Sequence, residues 1–230
     1  IKKSDIDEVI LGQVLTGGSG QNPARQAAIK CGLPKEIPAF VVNQVCGSGI
    51  RSEVSGLQSI QSGDSKIIIS GGQENMSLAP HCVFLREGKK LGDTQIIDSM
   101  IKDGLWDAFN GYHMGTTAEN VAEKFQIPRE EQDKFALRSQ QKALQAQKND
   151  KFKEEIVNFK IKSNNSEINF DKDEHPRDGI TLEALQRLSP VFKKNGTVTA
   201  GNASGINDGA AAVTLISSDE ADKRNIKKLV

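Results

Sequence analysis

The stretch "NQVCGSGIRS", residues 43–52, sets Cys46 between an apolar run and a turn of small residues, with a helical pattern behind it. A thiol at a strand-to-helix turn can be activated, because the helix N-terminus carries partial positive charge and unpaired N–H groups that favour thiolate. Gly47, Ser48 and Gly49 remove bulk, so a carbonyl can approach the sulfur and backbone N–H groups can hold an oxyanion. The logic is that of a hydrolase nucleophile elbow with sulfur in place of oxygen. Two other readings of the turn stand beside it. Cys46 can be a small buried hydrophobe, as most cysteines of soluble cores are. Alternatively "GSGIRS" approximates the dinucleotide pattern GxGxxG, with Ser52 for the last glycine and Glu74 for the ribose-binding acid, although Glu74 lies further along than that fingerprint wants. The turn alone leaves nucleophile and packing residue open.

Other chemistries are less well supplied. Cys31, Cys46 and Cys82 are widely spaced, with no CxxC pair and no His at metal-ligand spacing, which argues against a disulfide framework and against a metal site. Cys31 ends a helical pattern and Cys82 lies in an irregular stretch, and both are expected to be packing residues. A reducing compartment, the cytoplasm, is the simpler expectation. Lys plus Arg and Asp plus Glu balance at 30 each, so charge makes no case for nucleic acid or an acidic membrane surface. No apolar run approaches the roughly 20 residues that span a bilayer. The "TGGSGQ" turn (16–21) lacks the GK[ST] ending of a phosphate loop.

The elements that must position Cys46 follow from periodicity. "DEVILG" (7–12), "PAFVVN" (38–43) and "KIIISGG" (66–72) read as strands, the last buried on both faces. "NPARQAAIKCG" (22–32) reads as a helix, with Asn22 capping, Pro23 at the first position and Gly32 at the stop. Residues 46–62 read as a second helix with Ile50, Val54, Leu57 and Ile60 on one inward face and Gly63 at its end. Such alternation predicts a mostly parallel α/β sheet with right-handed crossovers. Beyond residue 75 the character changes to longer loops and more charge. "TTAENVAEKF" (116–125) carries a capping box of Thr116 with Glu119. A helix from Pro128 to about Gln147 should turn Phe135, Ala136, Ala143 and Leu144 inward. Residues 148–179 hold two short strand-like runs. Ala210 to Ile216 reads as a buried strand, followed by a helix capped by Ser218 or Asp219. The expected organisation is a core of residues 1–75 and 207–230 interrupted by an inserted α+β domain at 76–206.

The same residues resemble the thiolase family. "NQVCGSG" is similar to the nucleophile segment of these enzymes, which make or cleave 3-ketoacyl-CoA. "GSGQNPARQAA" (18–28), "SGGQENMS" (70–77), "DGLWDAFNGYHMG" (103–115), "REEQDKFALRSQQKA" (129–143) and "GTVTAGNASGINDGAAA" (196–212) resemble it in the same order. The "FNGYHMG" stretch looks most like the biosynthetic branch, which condenses two acetyl-CoA into acetoacetyl-CoA. The condensing synthases of fatty-acid metabolism carry a "CSS"-type turn that is absent here.

The resemblance implies a thiolase-like α/β fold of two similar five-stranded halves, the first carrying a loop domain that holds coenzyme A. It implies that Cys46 takes the acyl group. Leu105, His113, Met114 and Phe192 would line the pantetheine and acyl pocket, Arg177 would approach the nucleotide end, and Ala200 and Ser204 would contact the pantetheine chain. Read without the family, Met114 is as much a core filler, Arg177 in "DKDEHPRD" a charge balancing its neighbours, and His175 a solvated loop residue. The implied substrate is a coenzyme A thioester with no further cofactor, no nucleic acid and no membrane, and the implied assembly is a homodimer or homotetramer. The family pattern also includes a "GHP" turn, a "CxGGG" turn and an "NEAF" segment, none of which occurs in this sequence. The first residue is Ile1, and the opening strand and helix of the first half, like the whole C-terminal half, are expected to lie outside this sequence. A degradative thiolase of broader chain length is the near alternative, and a nucleotide-binding dehydrogenase-like module the distant one.

Overall fold

The computed structural model describes residues 1–163 and 166–229. In chain order the elements are β1 (Glu8–Gly12), α1 (Pro23–Lys30), β2 (Ala39–Val42), α2 (Ser48–Ser62), β3 (Ile67–Asn75), β4 (His81–Cys82), β5 (Ile97–Asp98), β6 (Trp106–Asp107), β7 (Tyr112–His113), α3 (Met114–Lys124), α4 (Arg129–Lys148), β8 (Phe159–Ser163), β9 (Ser166–Phe170), α5 (Leu182–Gln186), β10 (Asp208–Ile216) and α6 (Ser218–Lys223). Residues 164 and 165, within the expected strand-like runs of 148–179, and residue 230 of the expected 207–230 core segment lie outside the described residues.

The chain divides into two compact units, Ile1–Trp106 with Ile206–Val230, and Asp107–Gly205. The first is built on a four-stranded sheet in the order β10-β3-β1-β2. β1 runs parallel to β2, with Val9 opposite Ala39, and parallel to β3, with Val9 opposite Ile69. β10 is antiparallel to β3, with Ala212 opposite Gly71. Residues 76–106 cluster with this unit. There the Asp208 carboxylate accepts from the Ser77 N–H and hydroxyl, and the Ser99 hydroxyl donates to the Pro80 carbonyl.

α1 is apolar where it meets the sheet. Ala24 and Ala28 pack with Ile6, Val9, Leu11, Leu33, Ile37 and Ile67 in the core cluster. Asn22 accepts from the Arg25 N–H and Pro23 opens the helix, as its sequence predicts. α2 meets the sheet differently. Its buried residues are Ser48, Ser52 and Gly56. The expected inward face is turned out, with Ile50 71%, Val54 36% and Leu57 50% exposed. The reason is steric and polar. A Cβ on Gly56 would stand 2.8 Å from Leu215 Cδ1 and Ser70 Oγ, so any larger residue would have to push those side chains aside for the helix to lie this close. The fully buried Ser52 hydroxyl accepts from the Gly71 N–H at 2.9 Å and lies 2.7 Å from the Gly71 carbonyl.

β10 is an edge strand whose residues from Asp208 to Thr214 are exposed, in contrast to the buried strand expected there. α6 is preceded by Ser217 at its cap, one residue before the expected position.

In the second unit α3 begins at Met114, with His113 as its cap, so no capping box of Thr116 and Glu119 forms. Glu119 lies well inside the helix, and its buried carboxylate is taken by the Thr197 and Val198 N–H groups. α4 turns Asp133 fully inward, while Phe135 is 65% exposed under the Arg138 guanidinium. Ala136, Ala143 and Leu144 are half-buried, as expected. β8 and β9 form a hairpin of their own, with Ile161 opposite Ile168.

Candidate active site

Cys46 is exposed, four residues past the end of β2 and two before the first residue of α2. The alternative reading of a buried packing residue fails there. It fails at Cys31 too, which is exposed at the end of α1. The turn that presents Cys46 is held from within. Val45, immediately before it, has φ of 49°, a left-handed conformation that a β-branched residue adopts only under constraint. The constraint is supplied by Asn43 Oδ1, which accepts from the Val45 N–H at 2.9 Å, and by the buried Ser48 hydroxyl. That hydroxyl accepts from the Gln44 N–H at 2.8 Å and donates to the Val45 carbonyl at 2.6 Å.

Two glycines set the head of α2 onto the strand ends. A Cβ on Gly12, the last residue of β1, would stand 2.4 Å from the Ser48 carbonyl carbon and 2.6 Å from the Gly49 nitrogen. At Gly49 a Cβ would meet nothing within 4 Å, so the approach to the helix terminus beside Cys46 is open. The expectation that small residues clear space holds at Gly49. The N–H groups of Gly47 and Ser48 are already spent on the Gln44 and Val45 carbonyls, so an oxyanion would have to be held by others.

A cleft of about 530 Å³ opens in front of Cys46, within the first unit. Its lining includes Leu15, Val45, Met76, Met100 and Leu105 with the small residues Gly72 and Gly209. The structure thus brings Leu105 to the same cleft as Cys46. Glu74 also faces it, but as a strut. Its carboxylate accepts from the Val14 N–H at 2.9 Å and the Leu15 N–H at 3.2 Å, fixing the chain that leaves β1. A carboxylate engaged with its own backbone in this way is not presenting itself to a ribose. Sequence reasoning missed this strut, and the "GQE" run gives no sign of it.

The remaining expected site residues lie in the second unit, in two groups. His113 caps α3, its Nδ1 accepting from the Gly115 N–H at 3.0 Å, which leaves Nε2 as the proton-bearing nitrogen of the neutral ring. The Phe192 ring stacks on it at 4.8 Å and 18°. Gly115 is required there, since a Cβ would stand 2.2 Å from Phe192 Cδ2. Met114, 38% exposed, stands between them in sequence at the first position of α3. The second group is the irregular segment that carries Ala200 and Ser204, both exposed. His175 is an exposed loop residue, as its sequence reading has it, and its ring lies against this segment, with Cε1 2.3 Å from where a Gly205 Cβ would be. Arg177 follows two residues on, its N–H held by Gln140 Oε1 at 2.9 Å and its side chain exposed. Among the described residues no group of three His, Cys, Asp or Glu side chains gathers to hold a metal ion, and no helix is long and apolar enough to cross a membrane.

Known proteins match the chain throughout. Residues 1–219 match the family described as "Thiolase, N-terminal domain". The acetyl-CoA acetyltransferase of Rhizobium meliloti (strain 1021) is 58% identical over 229 residues, covering 100% of this chain and 58% of that protein. The acetyl-CoA acetyltransferase of Paracoccus denitrificans is likewise 58% identical over 229 residues, covering 100% of this chain and 59% of that protein. The crystal structure of the Bacillus anthracis acetyl-CoA acetyltransferase superposes with a TM-score of 0.96 at 39% identity, over 100% of this chain and 58% of that one. The chain therefore spans somewhat under three fifths of the length of these relatives.

Proposed function

This chain belongs to the thiolase family, and on that premise we propose that the protein it forms part of joins two acetyl-CoA into acetoacetyl-CoA and free CoA, and runs the reverse thiolysis. The observation that carries the reading is Cys46, exposed at the head of α2 in an apolar cleft shared with Leu105. The names of the relatives support the substrate.

The chemistry is ping-pong. The Cys46 thiolate attacks the acetyl-CoA carbonyl, the C–S bond to CoA breaks, and CoA leaves as a thiol after taking a proton. A second acetyl-CoA loses a proton from its methyl carbon. The resulting carbanion attacks the acetyl-Cys46 carbonyl, forming the new C–C bond and releasing the Cys46 sulfur. Groups in this chain position the acceptor: the strained turn at Val45, the Ser48 clamp and the apolar lining. In the second unit the stacked His113 and Phe192 with Met114 form a wall for the acyl and pantetheine groups. Ala200 and Ser204 offer a low surface for the pantetheine amides, and Arg177 a cation for the phosphates. The unit Asp107–Gly205 is accordingly the coenzyme A-holding part, and the complete protein works in a reducing compartment as a homo-oligomer.

The proton-transfer groups of the family, in its "GHP" and "CxGGG" turns, do not occur in this sequence, so the 230 residues alone should not turn over. Assaying them for acetoacetyl-CoA thiolysis tests that statement, and robust turnover would refute it. For the complete protein, thiolysis of the four-carbon substrate is expected to exceed that of longer 3-ketoacyl-CoA. A preference for longer chains would move the reading to a degradative thiolase.

A further inference from the structure

The segment carrying Ala200 and Ser204 has no regular structure, yet two buried carboxylates on two helices hold it from beneath. Glu119 of α3 takes the Thr197 N–H at 2.8 Å, the Thr197 hydroxyl at 2.9 Å and the Val198 N–H at 2.8 Å. Asp133 of α4 is fully buried and takes Asn202 Nδ2 at 3.0 Å. Asn202 in turn closes the segment on itself. Its Oδ1 accepts from the Thr199 N–H at 2.8 Å, and its Nδ2 also donates to the Thr197 carbonyl at 3.0 Å. The other Asp133 oxygen takes Arg129 Nε at 2.7 Å, and Arg129 Nη2 donates to the Leu185 and Leu188 carbonyls at 2.7 and 2.9 Å. Gly201 presses on the same place, since a Cβ there would stand 2.6 Å from both Leu185 Cδ2 and Leu188 Cδ1.

We propose that Asp133, Asn202 and Arg129 are positioning residues for the pantetheine arm of coenzyme A, fixing the Ala200–Ser204 backbone before the ligand arrives. The inference rests on the coenzyme A reading above and adds to it three residues that do not touch the ligand. The physical case is one of orientation. Thr197, Val198 and Asn202 bond inward to α3 and α4, while Ala200 and Ser204 are exposed, with nothing larger than a methyl or hydroxyl group between ligand and backbone at those two positions. Such a surface binds by shape and by backbone polar groups, so its affinity depends on the segment being held still. Asn202 is the keystone because both its amide atoms are used, and Asp133 fixes which way that amide faces.

The test compares two probes by titration calorimetry on the complete protein that contains this chain: coenzyme A, and adenosine 3′,5′-bisphosphate, which has the nucleotide end without the pantetheine. Asn202→Ala and Asp133→Asn are expected to weaken coenzyme A about tenfold and to leave the bisphosphate unchanged. Because Asp133 is buried, Arg129→Lys serves as a milder variant that keeps the charge beside it, and about threefold weakening is expected. The double change Asp133→Asn with Asn202→Asp lets the two side chains bond again and should recover part of the coenzyme A affinity. Equal loss for both probes would mean a merely structural role and overturn the proposal, as would unchanged affinity for both. A wild-type protein that binds the bisphosphate but gains nothing from the pantetheine arm also overturns it. A wild-type protein that binds neither refutes the coenzyme A reading itself, and the proposal with it.

Discussion

Gly12→Ala should displace Cys46, the proposed nucleophile, without touching it. The added methyl would stand 2.4 Å from the Ser48 carbonyl carbon, where ordinary contact begins at 3.4 Å, so the head of α2 must retreat by about 1 Å. The obstacle is backbone on both sides and cannot swing aside. Overpacking of this kind costs about 1–3 kcal/mol, which lowers the melting temperature by about 2–12 °C. A 1 Å error in placing a reacting group is expensive, so acylation of Cys46 by a haloacetyl-CoA should slow on the order of tenfold or more. The control is Gly56→Ala, further along the same helix. Its methyl meets Leu215 Cδ1 and Ser70 Oγ at 2.8 Å, both side-chain atoms that can shift. It should cost stability, about 1 kcal/mol, and leave the Cys46 rate alone. The assay is peptide mapping by mass spectrometry, which separates Cys46 from the exposed Cys31 and half-buried Cys82, alongside thermal unfolding. A Gly12→Ala protein as stable and as reactive as wild type refutes the argument, and so does an equal slowing by Gly56→Ala.

Ser48→Ala removes the hydroxyl that clamps the left-handed Val45, and should cost about 1–2 kcal/mol in chemical denaturation. Val45→Gly relieves the strain at φ 49° and should be neutral or stabilising by about 1 kcal/mol on the same measurement. Phe192→Ala unstacks His113 and should lower stability by about 2 kcal/mol and weaken coenzyme A binding, both measurable by calorimetry. Arg177→Ala should change stability by less than about 0.5 kcal/mol, because the side chain is exposed, while making coenzyme A binding weaker and less salt-dependent. Glu119 has a pH signature. Burial, the largest influence, raises its carboxyl, but the Val198 N–H with the Thr197 hydroxyl and N–H outweigh it and hold the group below its ordinary 4.5. A folded value below the unfolded one gives stabilisation that is complete above about pH 4.5 and lost as pH falls through the folded value. Glu119→Gln should therefore be less stable than wild type at neutral pH and lose less on acidification. Urea midpoints measured from pH 6 to pH 2 should converge, and parallel curves would contradict the assignment.

The strands, helices and Cys46 turn of the first unit are legible in the sequence because each carries a local signal: β-branched runs for β2 and β3, Asn22 and Pro23 for α1, glycines around Cys46. The face of α2 is not legible. Periodicity reads Ile50, Val54 and Leu57 as inward, while the contact with the sheet is made by Ser52 and Gly56, because close approach selects for small residues over apolar ones. The same blindness hides Glu119 and Asp133. Glu119 is satisfied by Thr197 and Val198, and Asp133 by Asn202 as well as by its helix neighbour Arg129, and no spacing rule connects the carboxylates to the distant donors. Thr116 and Glu119 even imitate a local capping box that His113 pre-empts. The residues proposed for the coenzyme A site carry no local signal of their own and stand out only by likeness to a family. Their geometry adds the reason for their neighbours, as with Gly115 beneath Phe192 and Gly205 beneath His175.

The central claim is that Cys46 is an acyl acceptor served by a coenzyme A site. Its most direct test is stoichiometric labelling of this chain with a haloacetyl-CoA, located by peptide mapping. One label per chain is expected, on Cys46, with free coenzyme A protecting it and NAD giving no protection. Label spread evenly over Cys31, Cys46 and Cys82, or protection by NAD, would contradict it.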